Sequence, residues 1–506
     1  MDRGGIAGSV TEEYADDAGA LIVQADQDQR EQPPPATKWL PVCRRQCDFD
    51  PTHFYEAMLN AIRNPNLLST WLFRADLLAE HDGASPWEEG GQPRIPVLRD
   101  MRCERVFVRR LIPRNTKRDN TLLQSCPFYA STEQAGKSGI SRRLVLYLPH
   151  VLSASEVPFY HPQVAGVGLL HEWDASLRKG TFSVHYRLFE DVPMYTKLQR
   201  TALNILTILH KLGQGQLNGY VKRVHHDILV PQAVLQDRYS RLKEKYAKRL
   251  VEGWVETTDP MKHVFEDLGI AAFLLELWAD LYKDQEFPGF VDIGTGNGLL
   301  VHILNFEGFR GWGFDARSRK SWNMYNGKLR DGNAFLRELV LLPSLIQPEH
   351  GSSPEDSDGG SLEAKSHDGT FPKGTFIISN HADELTPWTP ILAAASDCPF
   401  IAIPCCSHNL GGAIFRAPLP KDKAKATSTY ACLVAWVSDI AADCGWEVET
   451  EMLRIPSTRN TAIVGRRRAA GRPGTDVYEV INKHGGAGGY RESAMRLMKD
   501  TSSHKN

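Results

Sequence analysis

The spacing of apolar positions changes several times along the chain, and each change marks a different kind of element. From Trp39 to about Leu188, extended apolar runs such as Arg105 to Ile112 and Arg143 to Leu148 are mixed with helical patterns near His53 to Ile62 and Thr70 to Ala79, which predicts an α+β region. Leu198, Ala202, Ile205, Leu209 and Leu212 then fall three and four residues apart, the spacing of one helix face, with Gly213 as the expected stop. A lysine- and arginine-rich helix is expected around Val234 to Glu252, and a long apolar one from Asp259-Pro260, where proline in the first turn loses no hydrogen bond. After Gly289 strand-like and helical runs alternate: Phe290 to Ile293, Leu299 to Phe306, Gly311 to Phe314, Thr375 to Ser379, Ile391 to Ala395, Phe400 to Pro404, Thr429 to Ala442, Glu447 to Leu453 and Thr461 to Val464. That alternation predicts an α/β domain whose mostly parallel sheet is covered on both faces.

Segments without apolar periodicity set the expected boundaries. Residues 1–37, ending in Pro33-Pro34-Pro35, read as a disordered acidic tail, and 38–255 as an N-terminal α+β and helical region. The α/β domain is expected over 256–468, with 343–374 as a flexible insertion rich in Ser, Asp, Gly and Pro. Residues 469–506 read as a polar C-terminal tail, frayed after Tyr490.

Composition narrows the class. At 506 residues, 42% hydrophobic and 24% charged, the chain has room for two or three folded domains and is neither fibrous nor wholly disordered. No apolar run approaches the roughly 20 residues of a bilayer crossing, since Glu276 and Asp280 break the richest stretch, so no membrane is expected. The N-terminus lacks the basic and apolar regions of a secretion signal. Nine cysteines, an odd number that includes the neighbours Cys405 and Cys406, suit reduced thiols and hence the cytosol or nucleus. Eight acids against Arg3 and Arg30 in residues 1–37 take six of the net charge of −2, so the remainder sits near +4.

The most informative run is Phe290-Val291-Asp292-Ile293-Gly294-Thr295-Gly296-Asn297-Gly298-Leu299, an apolar strand, a glycine turn and a helix start. Such a turn lets a ligand approach the backbone and offers N–H groups at a helix N-terminus. Leu299 occupies the position where a dinucleotide fingerprint needs Gly or Ala, which disfavours NAD. Asp292 is placed to repel a pyrophosphate but to attract an ammonium, and Asp315, ending the next strand 17 residues after Gly298, is placed to take two ribose hydroxyls. S-adenosylmethionine, which carries an ammonium, a sulfonium and no phosphate, matches that pair of acids. The expected cofactor-binding residues are Asp292, Gly294, Gly296, Asn297, Gly298 and Asp315. The competing reading is a glycine turn beside two incidental surface acids.

Beyond the expected fourth strand, Ser379-Asn380-His381-Ala382-Asp383-Glu384-Leu385-Thr386-Pro387-Trp388 allows two readings. Asp383 or Glu384 orients or deprotonates an acceptor while Trp388 stacks on a base, or the acids cap a helix and Trp388 packs. Arg459 is either a phosphate clamp or a surface arginine. Cys405 and Cys406 read as buried thiols or pocket lining rather than nucleophiles. Vicinal cysteines do not readily ligate one metal together and no C-x-x-C occurs, so no metal site is expected. Between Asn218 and Leu250, Lys222, Arg223, Arg238, Arg241, Lys243, Lys245, Lys248 and Arg249 stand against three acids, interleaved with His225, His226, Tyr220, Tyr239 and Tyr246. Cations with aromatics suit RNA, and a solvated helix face is the alternative.

With these residues in view, the chain resembles the eukaryotic tRNA (uracil-2′-O-)-methyltransferase family, which methylates the ribose of uridine 44 in serine tRNA. The likeness runs from Trp39 to Arg468, through Phe107 to Asn115, Tyr220 to Asp227, Asp259 to Asp267, Val291 to Gly298, Asp315 to Trp322, His381 to Trp388, Pro404 to Cys406 and Arg454 to Asn460. It implies a Rossmann-like class I S-adenosylmethionine-dependent methyltransferase domain behind the N-terminal α+β domain, a cytoplasmic setting and tRNA, serine tRNA in particular, as partner, with no DNA. No protein partner is legible. Thr295 stands where the family often has Cys, and the Cys/His zinc module of some relatives is missing, since no cysteine follows Cys444.

Many 2′-O-methyltransferases of this fold surround the hydroxyl with a Lys-Asp-Lys-Glu tetrad. Lys262 and Asp383 match its first two places, while Cys405 and Asn460 stand where Lys and Glu are expected. Asp383, Lys262 and Arg459 are therefore the catalytic candidates, positioning and one base supplying the rate. A catalytically silent RNA-binding scaffold and a protein methyltransferase are the other readings, and the intact cofactor turn argues against the first.

Overall fold

The computed structural model describes residues 13–14, 38–83, 93–132, 139–220, 226–346, 365–420, 422, 428–469 and 476–503. They divide into two compact units, Met1–Lys222 and Arg223–Asn506. None of the described helices is long and apolar enough to cross a membrane.

The first unit is one antiparallel sheet with two helices. Its strands are β1 (Glu13–Tyr14), β2 (Trp39–Cys47), β3 (Leu72–Asp82), β4 (Met101–Pro113), β5 (Leu122–Ser131), β6 (Ile140–Pro149), β7 (Gly166–Asp174) and β8 (Lys179–Arg187), in the order β1-β2-β8-β7-β6-β5-β4-β3. Helices α1 (Pro51–Arg63) and α2 (Thr196–Leu217) pack Phe54, Met58, Leu198, Ile205 and Leu209 onto one face. Leu144, Leu146 and Leu148 of β6 meet Trp39, Tyr129 and Leu98 on the other. Coverage on both sides explains why β6 reads as a continuous apolar run rather than an alternating one.

The helix expected over Thr70 to Ala79 is instead β3, paired along the length of β4. Leu72 and Arg74 are buried and Phe73 between them is half-buried, a period of two that a short apolar run hides. Helix α2 runs past Gly213, whose missing Cβ makes room for Phe49: a carbon there would lie 2.9 Å from that ring. Arg109, 2% exposed, donates to the carbonyls of Ala61 and Ile62 at the end of α1 and to Gln124 Oε1. A buried guanidinium at a helix C-terminus is a structural role, and it accounts for one of the motif arginines. Of the expected acidic tail only Glu13–Tyr14 is described, pairing with Cys43 and Arg44; the rest lies outside the described residues.

The second unit is a seven-stranded sheet between helices. Its strands are β9 (Phe290–Ile293), β10 (Gly311–Asp315), β11 (Leu336–Glu338), β14 (Phe376–Asn380), β15 (Phe400–Ile403), β16 (Trp446–Met452) and β17 (Thr461–Arg468), in the order β11-β10-β9-β14-β15-β17-β16. Neighbours pair in parallel except β17, which is antiparallel to β15 and β16. β12 (Val340–Leu341) and β13 (Ser366–His367) form a separate parallel pair. One face carries α3 (Gln232–Glu252), α4 (Pro260–Leu281) and α5 (Leu299–Phe306). The other carries α7 (Thr389–Ala395), α8 (Thr429–Asp443), α9 (Val477–Lys483) and α10 (Tyr490–Ser503). The remaining helix, α6 (Trp322–Tyr325), is a single turn.

Three expected boundaries move. The basic helix α3 buries Leu235, Leu242, Tyr246 and Leu250 in the core that α4 shares, so the second unit begins at Arg223 rather than near residue 256. Within the expected C-terminal tail, Val477–Lys483 and Tyr490–Ser503 are helical, with Val480, Ile481, Tyr490 and Ala494 buried against the sheet; few of their residues are apolar, so the stretch reads as polar. The insertion is shorter than 343–374, because the His367 ring stacks on Phe314 and Phe371 and Phe371 is buried; residues 347–364 lie outside the described residues.

Candidate active site

In an open α/β sheet, ligands bind beyond the carboxyl ends of the strands where the order reverses. Here the chain leaves β9 for β10 on one side and returns as β14 on the other, so the reversal lies between β9 and β14. Gly294, Gly296 and Gly298 all take positive φ, at 72°, 54° and 76°. A side chain at Gly298 would lie 2.5 Å from Leu336, whereas at Gly296 nothing stands within 4 Å of the Cβ position. Gly298 is thus required by packing, and Gly296 opens onto the cleft. The turn is held from β10 and from the segment after it. Asp315 Oδ2 accepts the Gly296 N–H (3.0 Å), Trp322 Nε1 donates to the Gly296 carbonyl (2.9 Å), and Ser321 Oγ donates to the Asn297 carbonyl (2.8 Å). Asn297 Oδ1 accepts the Leu299 N–H, satisfying one of the first donors of α5.

Under this turn sits a group of buried acids. Asp292 is 1% exposed, and its Oδ1 accepts no hydrogen bond from the protein. Burial, helped by the charge of Asp315, pushes its carboxyl up to about 7. Asp267, on α4, is raised well above the usual carboxylate range by burial and by the charges of Glu266 and Asp292. Glu266 Oε1 lies 3.0 Å from His381 Nε2, and His381 Nδ1 is buried without a partner. Neither Asp267 nor Asp292 forms an ion pair among the described residues. Asn380 Nδ2 donates to Asp267 Oδ1 (3.5 Å), yet no counter-charge stands on either acid among the described residues, and buried carboxylates without one favour a cationic ligand.

Two clefts share the turn. One, of about 540 Å³, is lined by Asp292, Gly294, Gly296 and Asn297 together with Lys262, Glu266, Asp267, His381, Cys405 and Arg459. The other, of about 420 Å³, is lined by Gly294, Gly296, Asp315, Asp383, Glu384, Leu339 to Leu341, and Tyr490, Ser493, Ala494 and Leu497 of α10. Lys262 and Arg459 therefore line the same cleft as Asp292, while Asp383 lines the one on the Asp315 side. The link between them is Cys405, whose Sγ donates to Asp383 Oδ1 (3.1 Å). Burial and then the Asp383 charge hold the Cys405 thiol protonated. His381 and Asp383 both have positive φ, 52° and 44°, so this loop is wound tightly to turn both side chains toward the strand ends.

Matches to known proteins cover both units of the chain. Residues 15–223 match a family model described as a TRM44-like, N-terminal bet v1-like domain, and residues 229–343 one described as a predicted AdoMet-dependent methyltransferase. A curated tRNA (uracil-O(2)-)-methyltransferase of Neurospora crassa is 53% identical over 97% of this chain and 98% of its own. Those of Kluyveromyces lactis and Saccharomyces cerevisiae are 39% and 36% identical, each over 89% of this chain and over 93% and 91% of their own lengths. The chain belongs to the tRNA (uracil-O(2)-)-methyltransferase family.

The structure of this methyltransferase separates the readings the sequence left open. Trp388 is fully buried and donates to the Leu410 carbonyl, so it packs and is not free to stack on a base. Asn460 Nδ2 donates to the Leu453 carbonyl and closes the turn between β16 and β17, a structural role. Asp383, Cys405 and Cys406 bring ligand atoms within 4.8 Å of one another, but the Arg459 guanidinium reaches Cys406 Sγ (3.8 Å), so a cation there would face a fixed positive charge. On α3, Tyr246 is buried and Tyr239 half-buried in the core, and Arg238 and Lys245 pair with Glu276 and Glu307. That removes Tyr239, Tyr246 and two cations from the expected RNA-facing set, leaving Arg241, Lys243, Lys248 and Arg249 exposed; Tyr220, before the helix, is also exposed, and Lys222, Arg223 and His225 lie outside the described residues. Glu266, Asp267, His381 and the wall from α10 were not singled out from the sequence. Their signals were the adjacent acids near the start of a strongly apolar helix and the place of His381 in the polar run after the fourth expected strand.

Proposed function

We propose that this methyltransferase moves the methyl group of S-adenosylmethionine to the ribose 2′-hydroxyl of a uridine in tRNA, the uridine at position 44 of serine tRNA being the one the family resemblance implies. The names of the curated relatives support the tRNA and uridine parts of this reading. The strand order β11-β10-β9-β14-β15-β17-β16, with one antiparallel strand inserted, supports a Rossmann-like class I domain. A cytoplasmic setting belongs to the same proposal.

One observation carries it: Asp292, with Asp267 beside it, is a buried carboxylate that no side-chain cation among the described residues neutralises, lying under an open glycine turn. When bound, S-adenosylmethionine supplies an electrophilic methyl on a cationic sulfur, and its ammonium matches these acids. Asp292, Gly294, Gly296 and Asn297 would hold the amino-acid end. Asp315 would take the ribose, since each of its oxygens spends one lone pair on a backbone N–H and keeps another. Gly298 contributes by shaping the turn. Toward the acceptor, Lys262 and Arg459 orient a phosphate and the hydroxyl. Asp383, steadied by the Cys405 thiol, accepts the hydroxyl proton, and His381 is oriented by Glu266 next to it.

The test is to map modified nucleosides by mass in serine tRNA incubated with the protein and S-adenosylmethionine; a 2′-O-methyluridine at position 44 is expected. In parallel, Asp292→Ala should lose donor affinity by at least about tenfold, whereas Asp383→Ala should bind donor normally and transfer methyl about 100-fold more slowly. Full activity of Asp383→Ala would remove it from the mechanism.

A further inference from the structure

On the first unit, at the end of the sheet where β3 begins, large aromatic surface is left in water beside cations. Trp71 is 51% and Phe159 45% exposed, and their rings meet edge to face at 5.0 Å. The Arg118 guanidinium lies over both, 5.3 Å from the Trp71 ring and 5.0 Å from Phe159, and Arg114 lies over Phe73 at 5.8 Å. Arg114, Lys117 and Arg118 fall within five residues, all exposed; the nearby acid, Asp119, is buried and turned back onto Arg118 (3.2 Å). Folding gives no reason to leave two large rings half in water.

The patch is also held in place. Arg114 donates from its backbone N–H to the Trp71 carbonyl (2.9 Å) and from Nε to the Thr70 carbonyl (2.7 Å). Tyr160, next to Phe159, donates from its hydroxyl to the Asn120 carbonyl (2.7 Å), tying the second loop to the first. Leu72, Leu111, Leu122, Val151, Val157 and Tyr160 form a small core of their own, to which residues flanking both rings belong. A patch already ordered loses little entropy when a ligand arrives.

We propose that Trp71, Phe159 and Arg118 are a stacking site for an unpaired base of the tRNA substrate, with Arg114 and Lys117 meeting the adjoining phosphates. The assignment rests on the tRNA reading above. Unpaired RNA presents in one ligand what the patch asks for, a flat π face for the rings and guanidinium and negative charge for the cations around them. A protein partner would need to match the rings with apolar side chains and the cations with acids at the same spacing, so RNA is the simpler occupant. The patch is remote in sequence from the glycine turn and contributes to neither cleft.

The experiment measures binding of unmodified serine tRNA transcript and methyl transfer separately, for the full chain and for Trp71→Ala, Phe159→Ala, Arg118→Gln and Trp71→Phe, each checked for folding by circular dichroism. Trp71→Ala and Phe159→Ala should weaken tRNA binding and raise its KM by about tenfold, with kcat at saturating tRNA and donor affinity unchanged. Arg118→Gln should also weaken binding by removing the cation that lies over both rings, and Trp71→Phe should recover most of the affinity. Wild-type tRNA affinity in all folded variants overturns the assignment, whatever else covers the patch. A wild-type chain that binds tRNA in a patch-dependent way yet transfers no methyl group overturns the functional reading and leaves the patch standing; one that binds no tRNA overturns both.

Discussion

Asp292 illustrates how one side chain ties stability to ligand binding. Its carboxyl sits near 7 in the fold against an ordinary value of 3.8, so the folded chain holds this proton more tightly than the unfolded chain does. The resulting stability is fully present below about pH 4 and is lost as pH rises through 7, worth about 4 kcal/mol at roughly 1.4 kcal/mol per pH unit for a group this buried. Asp292→Asn removes the charge, so it should raise the melting temperature of the ligand-free protein at pH 8 while weakening S-adenosylmethionine by at least about tenfold. The cationic donor must displace that proton, so its affinity should fall below pH 7, approaching about tenfold per unit. Calorimetric titrations in two buffers of different ionisation enthalpy would show proton release at pH 7; an affinity flat from pH 5.5 to 8 would contradict the account. Asp292 and Asp315 were legible because both flank one contiguous turn. Glu266 and His381 were not, because they are 115 residues apart in the chain and become neighbours only when α4 passes the end of β14.

At the scale of elements, the C-terminal helix α10 is the largest departure from the sequence reading. Short amphipathic segments are marginal by themselves and are stabilised by what they pack on. Tyr490 is 3% exposed, stands edge-on to Trp388, and donates to the Leu341 carbonyl. Tyr490→Ala should therefore cost about 3 to 5 kcal/mol, the range of a large aromatic removed from a core, and should weaken the donor because the same helix walls the Asp315 cleft. Tyr490→Phe, losing only the hydroxyl, should cost about 1 kcal/mol. Thermal melts and donor titrations on both variants separate these outcomes. The reverse case is α3, whose charge pattern was plain but whose aromatics turned inward, since a tyrosine at helical spacing with Leu242 and Leu250 is worth more in the core than in water.

At the scale of the whole molecule, each unit has hydrophobic clusters of its own: among the described residues three lie in the first unit and two in the second. S-adenosylmethionine should therefore stabilise the second unit selectively. At 100 times its dissociation constant the gain is about 2.7 kcal/mol, so scanning calorimetry should show one transition moving up with donor concentration and another staying put; a single transition shifting as one would contradict this. The sequence by itself determined the alternation of strands and helices after Gly289, the glycine turn with its two acids, and the family, because each is written in contiguous residues whose spacing acts locally. Tertiary structure alone decided that Thr70 to Ala79 pairs as a strand, that the chain divides at Lys222 rather than near 255, that Trp388 packs while Trp71 stays in water, and that Glu266, His381 and α10 reach the clefts. Those outcomes depend on which surfaces meet across long stretches of chain, and no local spacing encodes that.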